Sequence, residues 1–273
     1  MRGTPLRVLH QRNGWYLVQT PDEYLGWMDD GLVLFTKEEF NSWTRQPKVI
    51  VTAPCAHTVA SFSSDSDIVS DVVAGDIVKL VNEQGEWYNV EYPDGRRGFL
   101  ARTAAEPLAI WLANRSEAPE QIIATAKRFM GVPYLWGGTS PKAMDCSGFT
   151  KTVFSLHGVM LPRDASQQAR IGLPITPAAN FENVQVGDLL LFGKKDDRTQ
   201  RESVTHVGIY LCNGRFIHES EYERINSVYP HDPLYSPRRA EMLLRAVRLI
   251  GVGEECGVRR LSSLLYYQCH EQP

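Results

Sequence analysis

The sequence predicts an α+β protein, in which two small antiparallel β modules precede a domain of helices packed on an antiparallel sheet. Three observations predict this class. A strand–turn–strand pattern occurs twice within residues 1–103, apolar residues recur at helical spacing after Pro119, and short alternating strands follow from residue 187. Helices and strands that are grouped along the chain, rather than alternating, are typical of α+β folds.

Composition is that of an ordinary globular protein, with 43% hydrophobic and 22% charged residues among 273. This length allows two or three domains. The net charge of −3 and the lack of a basic run argue against nucleic acid as the main partner. No apolar stretch approaches the roughly 20 residues of a membrane span. We expect a monomer.

An internal repeat predicts the two β modules. Residues 15–27 align without a gap on residues 87–99, at an offset of 72, and six of the thirteen positions are identical. Each copy predicts a strand, a Pro-Asp turn and a second strand. The modules cover residues 1–46 and 47–104. Their Trp-Tyr-x-Val and Gly-aromatic pattern resembles bacterial SH3-like barrels, although other small antiparallel β domains contain such hairpins.

The two copies differ in what precedes them. The second copy has about thirty residues before its matching segment that the first copy lacks. A barrel without its opening strands leaves an unpaired edge, which proteins normally avoid. We therefore expect the first module to be N-terminally incomplete, with the chain beginning inside it and any signal peptide lying upstream.

The third predicted domain, residues 105–250, begins with a linker and then a helix over residues 119–130. Gly131 ends this helix. A turn leads to a second helix that begins at Cys146, and a short helix covers residues 163–170.

Strands complete this domain. Asn213-Gly214 is a hairpin turn between two of them, and a charged loop covers residues 193–203. In the tail, residues 251–273, we predict only a short helix near residues 261–267. The predicted strands cover residues 187–192, 205–211, 215–219 and 243–250.

Cys146 is the strongest candidate for a reactive side chain among the five cysteines. No CxxC pair occurs, which argues against a zinc ribbon or a thioredoxin-like site. Cys146 stands between Asp145 and Ser147 at a predicted helix start, where the positive end of the helix makes a thiol easier to ionise. The alternative is a buried small hydrophobic residue. Cys256 and Cys269 are the candidates for a disulfide bridge in the tail.

Two histidines are predicted to lie together beside this cysteine. Strand alternation puts His206 on one face of its strand and His218 on one face of the next, and the Asn-Gly turn makes these strands antiparallel neighbours. A thiolate needs a base and a third polar group that orients the base, and Cys146, His206 and His218 supply all three. The alternatives are histidines hydrogen-bonded in a core, or a metal held by the three residues. We expect no metal, because no carboxylate lies at close spacing.

Six short motifs extend this pattern over residues 118–250. They are Tyr134-Leu135-Trp136-Gly137-Gly138, Asp145-Cys146-Ser147-Gly148-Phe149, Leu161-Pro162-Arg163 with Ser166-Gln167, Gly187-Asp188-Leu189, His206-Val207-Gly208-Ile209-Tyr210 and Phe216-Ile217-His218. In order and approximate spacing they resemble the NlpC-type family of papain-like cell-wall peptidases. The resemblance implies a papain-like fold for this domain.

The SH3-like modules upstream make the chain similar to γ-D-glutamyl-L-diamino acid endopeptidases, the dipeptidyl-peptidase VI group. The resemblance implies cleavage of peptidoglycan stem peptides or muropeptides between D-Glu and the diamino acid, near a free L-Ala end, without a cofactor. It also implies the cell envelope or periplasm, with a cytoplasmic recycling role as the alternative.

The resemblance assigns catalytic roles residue by residue. Cys146 matches the nucleophile, His206 the general base and acid, and His218 the residue that orients the base. Tyr134 matches a tyrosine that helps to hold the oxyanion, together with the backbone N–H of Cys146; its alternative role is packing.

The resemblance also assigns substrate contacts. Asp145 and Ser147 match positions that contact the substrate amine and the D-Glu carboxylate, and both also suit a helix start as caps. Ser166 matches a serine on the rim of the site. Tyr24, in the first module, matches an aromatic residue that closes the site over the L-Ala end. The acid that accompanies it in the family would precede residue 1, and Glu23 is the candidate to replace it.

Two other functions remain open from the sequence. One is a cysteine amidase or acyltransferase on the same fold. The other is a non-catalytic protein that binds the cell wall, against which the intact Cys146, His206 and His218 argue.

Overall fold

The computed structural model describes residues 2–29, 31–62, 65–264 and 266–267. Cys269, a partner in the predicted tail bridge, lies outside the described residues. The chain divides into two compact units. The first unit comprises Met1–Arg115 with Leu261–Pro273, and the second unit comprises Ser116–Arg260.

The strands are numbered along the chain as β1 (Arg7–Arg12), β2 (Trp15–Gln19), β3 (Leu25–Met28), β4 (Lys48–Val51), β5 (Cys55–Val59), β6 (Ile68–Val73), β7 (Ile77–Gln84), β8 (Trp87–Glu91), β9 (Arg97–Ala101), β10 (Ala105–Pro107), β11 (Thr139–Ser140), β12 (Ala143–Met144), β13 (Val159–Met160), β14 (Leu173–Ile175), β15 (Leu189–Lys195), β16 (Glu202–Cys212), β17 (Arg215–Ser220), β18 (Tyr222–Ser227), β19 (Leu243–Arg248) and β20 (Arg259–Arg260). The α-helices are α1 (Lys37–Arg45), α2 (Leu108–Ala113), α3 (Pro119–Lys127), α4 (Cys146–Ser155), α5 (Ala165–Gln168) and α6 (Pro237–Met242).

The internal repeat of the sequence is a structural repeat of the first unit. β1, β2 and β3 form one antiparallel sheet, and β7, β8 and β9 are their counterparts within a sheet of order β10-β4-β7-β8-β9-β5-β6. Val8 pairs with Val18 in the first copy, and Leu80 pairs with Val90 in the second. A bulge follows directly after Val8 and directly after Leu80. The register and the bulge of this pairing are thus the same in both copies. The predicted strand–turn–strand pattern is confirmed by the next pairing, because Val18 pairs with Gly26 across β2 and β3, and Val90 pairs with Gly98 across β8 and β9.

The C-terminal residues return to the first unit. A 3₁₀-helix, Leu261–Ser263, partly confirms the short helix predicted there. The Tyr266 ring then stacks on Phe40 of α1, with centroids 6.1 Å apart, and its hydroxyl donates to the carbonyl oxygen of Gly3. Both ends of the chain thus contribute to this unit.

The second unit is built on an antiparallel sheet of order β14-β19-β15-β16-β17-β18. Helix α4 packs against β16 and β17, and its Phe149 and Val153 are fully buried. Asn213 and Gly214 join these two strands with positive φ angles of 50° and 72°, which an Asn-Gly hairpin turn requires. The predicted hairpin is confirmed.

The second unit differs from the prediction in several elements. α3 ends at Lys127, α5 covers only Ala165–Gln168, and β14 and α6 were not predicted. The loop predicted at residues 193–203 is shorter in the structure and covers residues 196–201, because β15 continues to Lys195 and β16 begins at Glu202. The edge strand β18, which pairs with β17 along its whole length, was not predicted. Its sequence, Tyr-Glu-Arg-Ile-Asn-Ser, is too polar to show the alternation of a half-buried strand. Among the described residues we find no helical segment with the length and apolar character that a membrane span requires.

Candidate active site

The start of α4 places Cys146 as the first residue of the helix. Asp145 is the N-cap, and its carboxylate accepts a hydrogen bond from the N–H of Gly148 at 2.8 Å, which confirms the predicted cap. A Cβ atom at Gly148 would lie 2.0 Å from the carbonyl oxygen of Gly138. The glycine therefore allows the preceding turn to pack directly against the helix start.

The Asp145 carboxylate organises the groups around this helix start. Arg163 donates to both of its oxygens, at 3.0 and 2.6 Å, and the N–H of Gly137 donates at 2.8 Å. The Ser147 hydroxyl donates to Asp145 at 3.2 Å and accepts from Arg163 at 3.1 Å. Burial raises the pKa of Asp145, but the hydrogen bonds from Arg163 and Gly148 outweigh it and hold the pKa below its ordinary value.

These contacts bear on two predicted substrate-binding residues. Asp145 and Ser147 are both buried, and their side-chain oxygens already have protein partners. A substrate group would have to compete with those partners, so direct contact of either residue with substrate stays a prediction. Arg163 was recognised only as part of a motif, and its bidentate pairing with Asp145 could not be seen in the sequence.

The hairpin of β16 and β17 brings the two histidines together, as predicted. His206 Nε2 and His218 Nδ1 lie 2.7 Å apart, and the two rings meet at 88°. Phe192 packs against His206 and Phe216 against His218, with ring centroids 5.7 and 4.7 Å apart. Both histidines are buried. Because the two facing nitrogens are hydrogen-bonded to each other, neither is available as a metal ligand in this arrangement.

Asn226 extends this pair and was missed in the sequence. Its Oδ1 atom lies 2.9 Å from His218 Nε2. Asn226 lies on β18, the strand whose pattern the sequence did not reveal, so nothing local connected it with the histidines.

The Cys146 thiol is buried beside β16. The backbone N–H groups of Val207 and Ser147 act on its Sγ and lower the pKa of the thiol. Burial nevertheless raises the pKa of Cys146 above its ordinary value. The N–H group of Ser147 at the helix start favours the thiolate, as expected, but desolvation of the thiolate outweighs the N–H donors around it.

Burial acts on the histidines in the opposite direction. It lowers the pKa of His206 well below its ordinary value, and the positive charges of a protonated His218 and of Arg239 add to the effect. Burial also lowers the pKa of His218 to about 3, although the hydrogen bond to Asn226 opposes the shift. The site at rest therefore holds a neutral thiol and two neutral imidazoles.

Tyr134 lies in the segment before α4 and is 39% exposed. Its backbone N–H donates to the carbonyl oxygen of Glu221 at 2.9 Å, which ties this segment to the end of β17. Burial, followed by the negative charges of a Cys146 thiolate and of Asp145, raises the pKa of Tyr134. Its hydroxyl therefore keeps its proton and is a hydrogen-bond donor at neutral pH.

The other two predicted contacts are on other elements of the structure. Ser166 is exposed on α5, which suits a residue on a rim. Tyr24 belongs to the first unit, between β2 and β3, and is 37% exposed. Contact of either residue with substrate stays a prediction.

Gln168 is a second buried residue that the sequence did not indicate. Its amide donates to the carbonyl oxygens of Ser147 and Pro162, both at 3.0 Å, and accepts from the Thr150 hydroxyl at 2.7 Å. The fully buried amide thus ties α5 to the start of α4. Its only sequence signal was its position beside Ser166-Gln167.

A buried pair of carboxyl groups adjoins the histidines. Glu219 and Glu223 face each other across β17 and β18, and both are fully buried. None of their four carboxyl oxygens has a hydrogen-bond partner among the described residues. Burial raises the pKa of both carboxyl groups, and at Glu223 the charge of Glu219 adds to it. We therefore expect the pair to hold a shared proton at neutral pH.

The sequence profile of the NlpC/P60 family matches residues 131–245, which include α4 and both histidines. A gamma-D-glutamyl-L-lysine dipeptidyl-peptidase of Bacillus cereus is 31% identical over 236 residues, or 84% of this chain and 68% of that protein. The chain belongs to the NlpC/P60 family. The resemblance inferred from the six motifs is confirmed.

The likeness to NlpC/P60 proteins extends beyond the matched residues. Dipeptidyl-peptidase 6 of Lysinibacillus sphaericus is 28% identical over 244 residues, or 85% of this chain and 84% of that protein. The crystal structure of an NlpC/P60 family protein from Bacillus cereus superposes with a TM-score of 0.73 at 27% identity, and covers 91% of this chain and 80% of that one. The likeness therefore includes the β-rich first unit.

Proposed function

We propose that this NlpC/P60 protein is a cysteine peptidase that hydrolyses the γ-D-glutamyl-diamino acid bond of peptidoglycan stem peptides near a free L-Ala end. The observation that carries the proposal is the Cys146 thiol at the start of α4. This helix packs on the sheet that contains the hydrogen-bonded pair of histidines. The substrate is supported by the names of two relatives, a gamma-D-glutamyl-L-lysine dipeptidyl-peptidase and dipeptidyl-peptidase 6, which are similar over most of this chain.

The neutral resting site implies that proton transfer accompanies attack. His206 takes the thiol proton as Cys146 Sγ bonds to the γ-carbonyl carbon of D-Glu. His218 accepts the hydrogen bond of the resulting imidazolium and so stabilises its charge. When the C–N bond breaks, His206 returns the proton to the leaving amine of the diamino acid, and a thioester remains on Cys146.

Hydrolysis of the thioester completes the cycle. His206 takes a proton from water as the water oxygen attacks the thioester carbonyl, and the proton then returns to the Cys146 sulfur. The product is L-Ala-γ-D-Glu. In both halves, the backbone N–H of Cys146 and the Tyr134 hydroxyl are the proposed oxyanion donors. A helix-start N–H without an intrahelical acceptor and a phenol that keeps its proton suit that role.

We also propose the substrate contacts that the family resemblance implies. Asp145 and Ser147 lie directly beside the nucleophile, and Arg163 joins their side chains, so a substrate carboxylate or amine bound there would be held by a preorganised cluster. Ser166 would contribute from α5, and Tyr24 from the first unit.

The first unit is proposed to consist of SH3-like modules. This proposal is supported by the hairpins β1–β2 and β7–β8, which have the same register and the same bulge and belong to antiparallel sheets. The catalytic sheet with α4 packed on it supports a papain-like fold for the second unit.

Removal of the Cys146 sulfur tests the function. We expect Cys146→Ala to lower release of the diamino acid from L-Ala-γ-D-Glu-diamino acid tripeptides by about a thousandfold or more, because nucleophile removal in cysteine and serine hydrolases has effects of at least that order. Mass spectrometry of the products measures the loss. Cys212→Ala, which changes an exposed cysteine at the end of β16, is the matched control and should keep full activity.

The outcomes separate the candidate functions. Full turnover by Cys146→Ala would refute the cysteine mechanism. Turnover of simple amides but not of γ-D-glutamyl peptides by the parent protein would favour an amidase on the same fold. Equal turnover of a peptide whose L-Ala amine is acetylated would exclude recognition of a free amino end.

A further inference from the structure

A chain of three hydrogen bonds connects the histidine pair to the backbone beyond β18. His206 Nε2 lies 2.7 Å from His218 Nδ1, His218 Nε2 lies 2.9 Å from Asn226 Oδ1, and Asn226 Nδ2 lies 3.1 Å from the carbonyl oxygen of Leu234. Each imidazole nitrogen can be a donor or an acceptor. The direction of these bonds therefore decides which nitrogen of His206 is free to act as a base.

The Leu234 carbonyl determines which atom donates and which accepts in each of these three hydrogen bonds. A carbonyl oxygen only accepts, so the Asn226 atom that faces it is the NH₂ nitrogen, and the amide oxygen faces His218. An amide oxygen also only accepts, so His218 carries its proton on Nε2. The Nδ1 atom of the neutral His218 ring is then an acceptor, and His206 Nε2 must be the donor. This leaves Nδ1 of His206 without a proton.

We propose that Asn226 is a positioning residue, which holds both histidines in the Nε2–H tautomer so that Nδ1 of His206 is the base that receives the Cys146 proton. Asn226 acts through His218 and does not itself touch the reacting atoms. The kinetic consequence rests on the proposed peptidase function, whereas the tautomers do not.

The Leu234 carbonyl, at the end of this series of hydrogen bonds, is itself held in place. The Leu234 oxygen also accepts the backbone N–H of Ser227 at 2.8 Å, and the Leu234 N–H donates to Asp232 Oδ1 at 2.9 Å. The Asp232 carboxylate is in turn bound by Arg215 of β17 at 2.6 Å. The carbonyl therefore cannot turn away from Asn226 without breaking several hydrogen bonds. The backbone conformation thus determines the donor and the acceptor of each hydrogen bond in the series.

The strand register places Asn226 where it can act. Asn226 is opposite Phe216 on β17, and His218 is opposite Arg224 on β18, so Asn226 and His218 are diagonal neighbours on one face of the sheet. The charged groups that act on His218 are Arg224 from β18 and Arg239 from α6, both of which oppose its protonation. His206 faces Arg239 and the exposed Arg238 of α6 in the same way. A neutral amide at position 226 leaves this balance intact.

Nitrogen-15 NMR of the histidine side chains tests the tautomers without reference to activity. In the parent protein at neutral pH we expect His206 and His218 to be neutral and protonated on Nε2. In Asn226→Ala we expect His218 to populate the Nδ1–H form, because nothing then requires its proton on Nε2. Asn89→Ala, at a half-buried asparagine in β8 of the first unit, is the control and should leave both signals unchanged.

Kinetics test the consequence for catalysis. We expect Asn226→Ala to lower kcat by about tenfold to a hundredfold with little change in KM, the size of effect that outer partners of functional histidines have. In Asn226→Asp the carboxylate still accepts from His218 but adds a negative charge. We therefore expect its acid limb of kcat/KM to move to higher pH, which a merely structural role in the loop would not produce.

Three results would overturn the proposal. They are an Nδ1–H signal for His206 in the parent, parental tautomers in Asn226→Ala, and loss of activity in both Asn226 variants with an unshifted pH profile. If the parent protein cleaves no γ-D-glutamyl peptide but its histidines respond to Asn226→Ala as described, the proposed function fails and the tautomer assignment is supported.

Discussion

Burial is the dominant influence on the ionisable side chains of this site. It raises the pKa of Cys146 and lowers the pKa values of His206 and His218, so each group is held in its neutral form. Asp145 is the exception, because the Arg163 guanidinium and two backbone N–H groups compensate its burial. At the scale of single residues, the site is a neutral thiol and two neutral imidazoles beside one paired carboxylate.

This electrostatic arrangement predicts a broad pH optimum. On the acid limb of kcat/KM, activity falls as His206 becomes protonated and can no longer act as a base. Burial lowers the pKa of His206, so we expect this limb below the ordinary histidine value of about 6.5. On the alkaline limb, activity falls as the Cys146 thiol loses its proton to the solvent. Burial raises the pKa of this thiol, so we expect the alkaline limb above about 8.5. Initial rates at low substrate across pH measure both. An acid limb centred above neutrality would contradict the buried, neutral base.

The Glu219–Glu223 pair predicts a pH-dependent stability. A carboxyl group with a raised folded-state pKa stabilises the fold below its unfolded pKa of about 4.3, and this contribution is lost as pH rises through the folded pKa. Glutamine at position 223 cannot ionise but can still donate to Glu219. We therefore expect Glu223→Gln to raise Tm relative to the parent by about 3 °C or more at pH 9, and by less at pH 5.

Thermal unfolding at the two pH values measures this difference. Glu241→Gln, at an exposed glutamate of α6, is the matched control and should shift Tm equally little at both. A Glu223→Gln variant that is less stable than the parent at pH 9 would show that the pair is stabilised by ionisation instead.

At the scale of elements, the two hairpins of the first unit share a sequence pattern but not an environment. Val90 in β8 is fully buried in a cluster that includes Tyr88 and Leu100. Val18 occupies the equivalent position in β2 and is almost as buried, yet every residue of its partner strand β1 is exposed. The hairpin pattern is therefore the same, while the core behind it is larger in the second copy.

This contrast predicts unequal costs for one substitution. We expect Val90→Ala to lower the free energy of unfolding of the first unit by about 2 kcal/mol, because the surrounding cluster leaves a cavity. We expect Val18→Ala, its counterpart 72 residues earlier, to cost less than half of that. Urea unfolding of the two variants measures the difference. Equal losses would mean that the first hairpin has as complete a core as the second.

At the scale of the whole molecule, the chain leaves the first unit after Arg115 and re-enters it at Leu261. The closing contacts are the Tyr266 hydroxyl on the Gly3 carbonyl and the Tyr266 ring on Phe40. They join residues from opposite ends of the sequence, so the stability of the first unit depends on a segment that follows the second unit.

This connection predicts a local effect of a distant substitution. We expect Tyr266→Phe to lower the stability of the first unit by about 1 kcal/mol, the ordinary contribution of one hydrogen bond. We expect Tyr266→Ala to cost more, because it also removes the ring from α1. Hydrogen exchange should become faster in α1 and around Gly3, and stay unchanged in β15 to β17. Tyr222→Phe, at an exposed tyrosine of β18, is the control. Faster exchange throughout the second unit would contradict a local role.

Much of the site followed from the sequence, because it depends on residues close together in the chain. The Asn213-Gly214 turn and strand alternation are enough to pair His206 with His218, and Asp145 three residues before Gly148 is enough to cap α4. The 72-residue repeat likewise predicted matching hairpins down to their Pro-Asp turns. Local periodicity and turn chemistry carry this information without any tertiary context.

Only the tertiary structure decided how these parts work together. Asn226 reaches His218 through a polar strand that has no recognisable pattern, and Arg163 reaches Asp145 across 18 residues. The sequence places Cys146 at a positive helix end, but its pKa is set by how much water the packed sheet excludes. Desolvation and long-range hydrogen bonds are properties of the assembled fold, because they depend on which residues from distant parts of the chain surround each group.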